Sequence, residues 1–361
     1  MQKPFSAHRL LTLAALLAAL PAAAAPNNIT DLGTLESDNS GGSGAYAISA
    51  DGSVVAGRAA SDSDFFSRAT VWSGSGWTTK TDLGTLRSDN SGWSMVRAAS
   101  RDGSVVAGES SDDSGVLVRA TVWSGSGWTT KTNLGTLKSD NSGRSSVNAV
   151  SRNGSVVAGE AENDSRENRA TIWSGRGWTT KTDLGTLRSD NSGGAGVTAV
   201  SDDASVVVGS AQHDNSLFLS HATVWSGNGW TTKTDLGTLA ADNSGSSHAR
   251  AVSRDGSVIA GVADNGNYTD DRATVWSGSG WTTKTDLGTL KADNSGRSWA
   301  WAVSSDGSLV AGESNDDSGN LSRATVWSGS GWGTKTDLGT LKADNSGESR
   351  VTGLRADGSL A

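Results

Sequence analysis

The sequence predicts an all-β repeat protein, β-propeller-like, with six complete four-stranded units of about 51 residues plus a partial seventh. An open β-solenoid built from the same units is the alternative. Three observations carry this reading. The tag D/N-L-G-T-L recurs at Asp31, Asp82, Asn133, Asp183, Asp235, Asp286 and Asp337, at intervals of 50 to 52 residues. A second tag, T-V/I-W-S-G-x-G-W, places its first tryptophan at Trp72, Trp123, Trp173, Trp225, Trp276 and Trp327. The composition is that of strands and tight turns, with 47 Gly, 15 Trp and 3 Pro in 361 residues.

The elements follow in order. Residues 1–24 read as a secretory signal peptide. Lys3 and Arg9 form the basic region, Leu10–Leu20 the apolar run, and Pro21 with Ala22–Ala25 the cleavage region, cut after Ala24. An apolar run of that length does not span about 30 Å of hydrocarbon, and no later run is longer. The β-repeat domain then occupies 27–361. In its first unit, residues 44–50 and 53–59 flank Asp51-Gly52, a short-hairpin signal. Val54-Val55-Ala56-Gly57 is apolar or small throughout, as in a strand buried on both faces. Ala69–Trp72 and Trp77–Leu83 flank Ser73-Gly74-Ser75-Gly76 as a second hairpin, with Trp72 and Trp77 placed to pack across it. Ser88-Asp89-Asn90-Ser91-Gly92 is the turn to the next unit. The sequence stops inside the second strand of the seventh unit, which reads as a domain truncated at its C-terminus with an open edge.

Comparison among the copies separates scaffold from surface. The loop after each second strand changes in length and sequence. Two strand positions also vary. One is Gly42, Trp93, Arg144, Gly194, Ser246, Arg297 and Glu348; the other is Tyr46, Arg97, Asn148, Thr198, Arg250, Trp301 and Thr352. A position that accepts Arg, Asn and Trp faces solvent or a partner.

The run W-S-G-x-G-W-x4-D-L-G-T-L followed by A-V-S-x-D-G-S-V-V-A-G resembles the bacterial extracellular HAF repeats over residues 31–361. The His-Ala-Phe signature survives only as His221-Ala222; Arg68, Arg119, Arg169, Arg272 and Arg323 replace the histidine elsewhere, as in a divergent branch. The resemblance implies a secreted protein or an autotransporter-like passenger, with an outer-membrane β-barrel only in a longer form. It implies no catalytic residues.

Composition excludes other classes. With 30 basic and 38 acidic residues, a net charge of −8, the chain lacks the field of a nucleic-acid binder. Without cysteine it is no disulfide scaffold. His213, His221 and His248 make no recognisable triad, with His248 expected in a turn. No enzyme is expected. The repeated D-N-S-G loops, with Asp112-Asp113 and Asp316-Asp317, raise calcium as a ligand, against the simpler reading of Asx turns. One Arg or His precedes each Trp strand, and one Lys (Lys80, Lys131, Lys181, Lys233, Lys284, Lys335) follows it. Both are expected to pair with Asp82 and its equivalents rather than to bind an anion.

The expected function is therefore that of a secreted or surface-displayed, adhesin-like interaction protein without catalysis, with a host surface protein or glycan as partner. A carbohydrate-binding propeller is the narrower alternative, and a propeller-fold lyase or glycosidase the further one. The candidate ligand-binding residues are Trp93, Tyr46, Arg97, Trp299, Trp301 and Arg250.

Overall fold

The computed structural model describes residues 30–62, 64–114, 118–214, 219–267, 271–318, 322–351 and 353–354. The expected signal peptide, Thr352 and the Asp357-Gly358 turn lie outside the described residues. Among those described, no helix is long and apolar enough to cross a membrane.

The repeat folds into six four-stranded antiparallel sheets, each ordered first to fourth strand along the chain. These are the blades of a six-bladed β-propeller, numbered I to VI here. Blade I comprises Ser43–Ile48, Val55–Ser61, Asp64–Ser73 and Thr79–Asp82. First strands of consecutive blades lie side by side around the axis, so they are the inner strands. Val54, Val55 and Ala56 are buried, as a strand covered on both faces requires. The outer strand is shorter than expected, because Trp77 is taken into the preceding 3-10 turn Ser75–Trp77.

That turn holds Trp77 at φ 55°, a left-handed conformation costly for a bulky side chain. The indole compensates by donating from Nε1 to the carbonyl of Gly52 at 2.8 Å, tying the two hairpins of the blade together. The first tryptophan of each pair takes a different part. Trp123 of blade II is fully buried among Val54, Ala56, Ala69, Val71 and Leu83 of blade I, together with Val96 and Val106 of its own blade. Its Nε1 donates to the carbonyl of Leu83 at 3.0 Å. Both tryptophans of a hairpin thus serve the junction with the preceding blade.

Two further ties repeat at these junctions. Ser94 accepts from the Ala69 N–H at 2.9 Å and donates to the Gly84 carbonyl at 2.7 Å. The residues before the D-G turns form a chain of backbone bonds: Ala50 to Arg101, Arg152, Asp202, Arg254 and Ser305 in turn, at 2.8–3.2 Å. Beside this collar lies a cavity of about 620 Å³, lined by Ile48, Ala99, Val150 and Val200 together with Arg101 and Arg152.

Blades I and VI each expose a face that is covered at the other junctions. The inner-strand residues Val96, Val147, Val197, Ala249 and Ala300 are sealed against the preceding blade, but their counterpart Ala45 is exposed, with Ile48 46% exposed beside it. On the far face of blade VI, Val351 packs on Ala311 and Ala324, starting the partial seventh unit. There Leu338 is 40% exposed, where Leu83, Leu134, Leu184, Leu236 and Leu287 are 2–4% exposed.

Candidate functional site

The variable position of the inner strands coincides with a β-bulge. In blade I, Ala45 pairs with Gly57 and Ala47 with Ala56, leaving Tyr46 without a partner. Arg97, Asn148, Thr198, Arg250 and Trp301 are skipped in the same way. A bulge re-aims its extra side chain and frees it from the ladder. Here the cause is the glycine on the second strand. A Cβ at Gly57, Gly108, Gly159, Gly209, Gly261 or Gly312 would stand 1.9–2.0 Å from an inner-strand carbonyl oxygen. Only glycine admits that approach.

The bulge residues reach along the ring toward the next blade. Asn148 Nδ2 donates to the Val197 carbonyl at 2.8 Å, and Thr198 Oγ1 to that of Ala249 at 2.7 Å. The Arg250 guanidinium lies 4.8 Å from the centre of the Trp301 ring, a cation–π contact. Trp301 Nε1 donates to Glu313 Oε1 at 3.2 Å, and Arg97 Nε to Glu109 Oε1 at 2.6 Å. Tyr46 is half exposed.

A second unrepeated set, which the sequence reading missed, follows the second-strand glycine: Arg58, Glu109, Glu160, Ser210, Val262 and Glu313. Its signal was the change of residue after each A-G or V-G. Opposite it stand Gly44, Met95, Ser146, Gly196, His248 and Trp299. His248 is therefore an inner-strand residue, not a turn residue; burial, then the Arg250 charge, lowers its basicity. Burial, then the neighbouring Glu109, pushes the Glu160 carboxyl above the usual carboxylate range. Both glutamates line a cavity of about 270 Å³ between blades II and III, with Arg144, Ser146 and Asn168.

The structure thus gathers four of the six candidate residues, Tyr46, Arg97, Arg250 and Trp301, on one ring. Trp299 precedes Trp301 on the same strand. Trp93 stands apart, half-buried at the entry to the inner strand of blade II, where its backbone pairs with Ser111.

The repeated cations have other partners. Arg169 Nε, His221 Nδ1 and Arg323 Nη2 lie 3.2, 2.9 and 2.9 Å from Asp183, Asp235 and Asp337, and all three are buried. Arg119 turns instead to Asp112 at 2.7 Å. The lysine expectation is corrected. Each of Lys80, Lys131, Lys181, Lys233, Lys284 and Lys335 donates to a threonine carbonyl of the preceding tag at 2.7–2.9 Å. Each also donates to the asparagine of that tag's D-N-S-G loop. The reason is geometric. The Asp of the tag is taken by the Arg or His of its own blade, or by the tag's glycine N–H, and the lysine reaches back across the junction.

The D-N-S-G loops are Asx turns. Asp89 Oδ1 accepts from the Ser91 N–H and Oγ, which hold the carboxyl down to about 2. Asn90, at φ 56°, accepts from the Thr85 N–H and from Lys131. Among the described residues, no three His, Asp or Glu side chains converge as metal ligands would.

No family model matches the chain, and no curated protein does. Solved structures do. An oligogalacturonate lyase in complex with manganese superposes with TM-score 0.52 at 13% identity, over 81% of this chain and 75% of that one. The β-propeller domain of the Trilobed protease from Pyrococcus furiosus, described as having an open velcro topology, gives 0.50 at 10%, over 81% and 80%. TolB from Acinetobacter baumannii gives 0.44 at 12%, over 78% of this chain; the chain spans only 62% of that one. At these identities the likeness is one of fold.

Proposed function

We propose that this is a secreted or surface-displayed binding propeller, a divergent relative of the HAF-repeat proteins, that takes a glycan without altering it. One observation carries the reading: on a repeated scaffold, two sets of variable side chains, the inner-strand bulges and the second-strand residues beside them, lie next to one another around the ring. Aromatic rings set among arginine and glutamate suit a sugar, whose C–H face stacks on an indole while its hydroxyls meet charged partners. Tyr46 and Trp301, with Arg97 and Arg250 one blade farther on either side, are the recognition residues. A glycan array screened with the wild type and with Tyr46→Ala/Trp301→Ala tests this. The expected result is a saccharide bound by the wild type and weakened at least about tenfold in the variant, the scale of a lost hot spot. Equal binding by both overturns it. Secretion is tested by N-terminal sequencing of protein from the culture medium, which should begin at Ala25.

One observation favours a second reading, a lyase or glycosidase. Glu160, with its raised affinity for a proton, lines one cavity with Glu109, and two carboxyls in one cavity are the pairing such chemistry uses. Turnover of a bound oligosaccharide that Glu160→Gln abolishes would establish this reading over the first.

A further inference from the structure

The copies show what a bulge residue and the second-strand residue 12 positions on do for each other. In blade II Arg97 Nε donates to Glu109 Oε1 at 2.6 Å, and in blade VI Trp301 Nε1 donates to Glu313 Oε1 at 3.2 Å. Where the bulge residue is short, the next blade's backbone takes it: Asn148 donates to the Val197 carbonyl and Thr198 to that of Ala249. At Arg250 the residue 12 positions on is Val262, which is buried, so blade V carries the cation of blade II without its carboxylate. Among the described residues Arg250 has no ion pair, and its Nε is buried with no hydrogen-bond partner. Burial lowers the basicity of the guanidinium, and the charge of Asp271 offsets only part of that. What Arg250 does touch is the Trp301 ring, 4.8 Å from the guanidinium carbon to the ring centre. The residue as a whole is half-buried, so a ligand can reach it.

A guanidinium laid against an indole is satisfied on its face, and its N–H donors point outward in its own plane. That edge calls for a planar acceptor with two oxygens and a negative charge. A carboxylate matches it with two parallel hydrogen bonds; a sugar hydroxyl offers one oxygen and no charge. The indole and the Val262 methyls beside the pair lower the local dielectric, which strengthens a bond formed there and makes the unpaired state costly. We infer that Arg250 is the receptor for a ligand carboxylate, which supplies in blade V the partner that Glu109 supplies in blade II. The inference rests on the binding reading above and narrows it: the saccharide is an acidic one, seated with its carboxylate on Arg250 beside Trp301.

Two measurements on the full chain test this. The first is a glycan array carrying uronate-bearing, sialate-bearing and neutral saccharides, each acidic one spotted also with its carboxyl reduced to the alcohol. The wild type should bind an acidic saccharide at least about tenfold more tightly than its reduced form, the scale of a lost charged hydrogen bond. Arg250→Gln should bind the two forms alike. So should Val262→Glu, which places blade II's carboxylate beside Arg250 as a built-in competitor. The spots bound show which acidic sugar supplies the group. The second measurement needs no oligosaccharide: the Arg250 Nε–H resonance, assigned by its loss in Arg250→Gln, should shift saturably with sodium glucuronate, less with sodium chloride at equal ionic strength, and not in Val262→Glu. A reduced saccharide bound as tightly as the acidic one overturns the inference and leaves the binding reading standing. An array with nothing bound overturns the binding reading, and the resonance then decides alone: a shift with glucuronate keeps the carboxylate site, and no shift overturns it. If Arg250→Gln fails to fold, the wild type on acidic and reduced saccharides still decides.

Discussion

Gly312→Ala is the sharpest probe of how the ring is built. The added Cβ would stand 1.9 Å from the Trp299 oxygen, 2.9 Å from its carbonyl carbon and 3.0 Å from the Ala300 Cα. All three are backbone atoms, so no rotamer change relieves the contact. The strands must part by about 1.5 Å to restore an ordinary separation, at an overpacking cost of about 1–3 kcal/mol. Gly312 lies outside the left-handed region, so alanine meets no backbone penalty there. Alanine also restricts the unfolded chain, which returns about 0.4–1 kcal/mol. Because the obstacle is main chain, the upper half of the cost range applies, and the net loss is about 1–2.6 kcal/mol. Urea unfolding followed by circular dichroism measures it. Gly42→Ala is the control: nothing lies within 4 Å of its Cβ, and it should sit within about 0.5 kcal/mol of wild type. A Gly312→Ala midpoint equal to that control would refute the claim that glycine is what permits the bulge.

Lys131→Met should lower stability by about 1–3 kcal/mol, because the Thr85 carbonyl and Asn90 Oδ1 lose their shared donor; the same urea series reads it. Glu160→Gln should do the opposite at neutral pH. A carboxyl whose folded pKa is raised costs stability when ionised, and the cost vanishes below the unfolded value of about 4.3, so the gain at pH 7 should be gone by pH 4. The D-G turn aspartates have the reverse sign. Serine donors hold Asp51 and Asp306 down to about 2, so their stabilisation is whole above the unfolded value of about 3.9 and lost as pH falls toward 2. Asp306→Asn should flatten that acid limb, and an unchanged limb would assign acid unfolding to other groups.

The blades were legible because every strand carries its own local signal. Asp-Gly set the inner hairpin, the run Val54–Gly57 announced burial on two faces, and a period of about 51 residues counted the units. What escaped were the contacts whose direction periodicity leaves open. Lys131 has the same sequence distance to Asn133 in its own tag as every other lysine has to its own, so the repeat alone cannot tell that the ammonium reaches back to Thr85. The bulges escaped for a different reason. Arg97 and Trp301 sit in runs of strand-forming residues, and the register slip is dictated by a glycine on the neighbouring strand. The mixed composition at these positions is nevertheless visible, and four of the six candidate residues lie at them. Glu109 and Glu160 lie within the second strand but next to a loop that also varies, so the sequence alone does not separate their variation from that of the loop.

The bulge also explains why variation gathers where it does. A residue in register must match the pleat, and one between blades must fill a volume set by Trp123 or its equivalents. A bulge residue does neither, since its backbone is outside the ladder and the opposing glycine presents no side chain. Arg, Asn, Thr, Trp and Tyr can therefore occupy it at little cost to the blade, while the Arg–Asp pairs, lysine clamps and buried indoles keep the copies alike. The same division bears on the exposed faces of blades I and VI. Exposed Ala45 and Leu338 are scaffold residues, counterparts of those sealed at the other junctions. Tyr46 and Trp301 are the variable residues of blades I and VI, and the proposed recognition role falls to them. A substitution at Ala45 should leave glycan binding intact and one at Trp301 should remove it; an Ala45 variant that abolishes binding would mean that scaffold and recognition residues form one site.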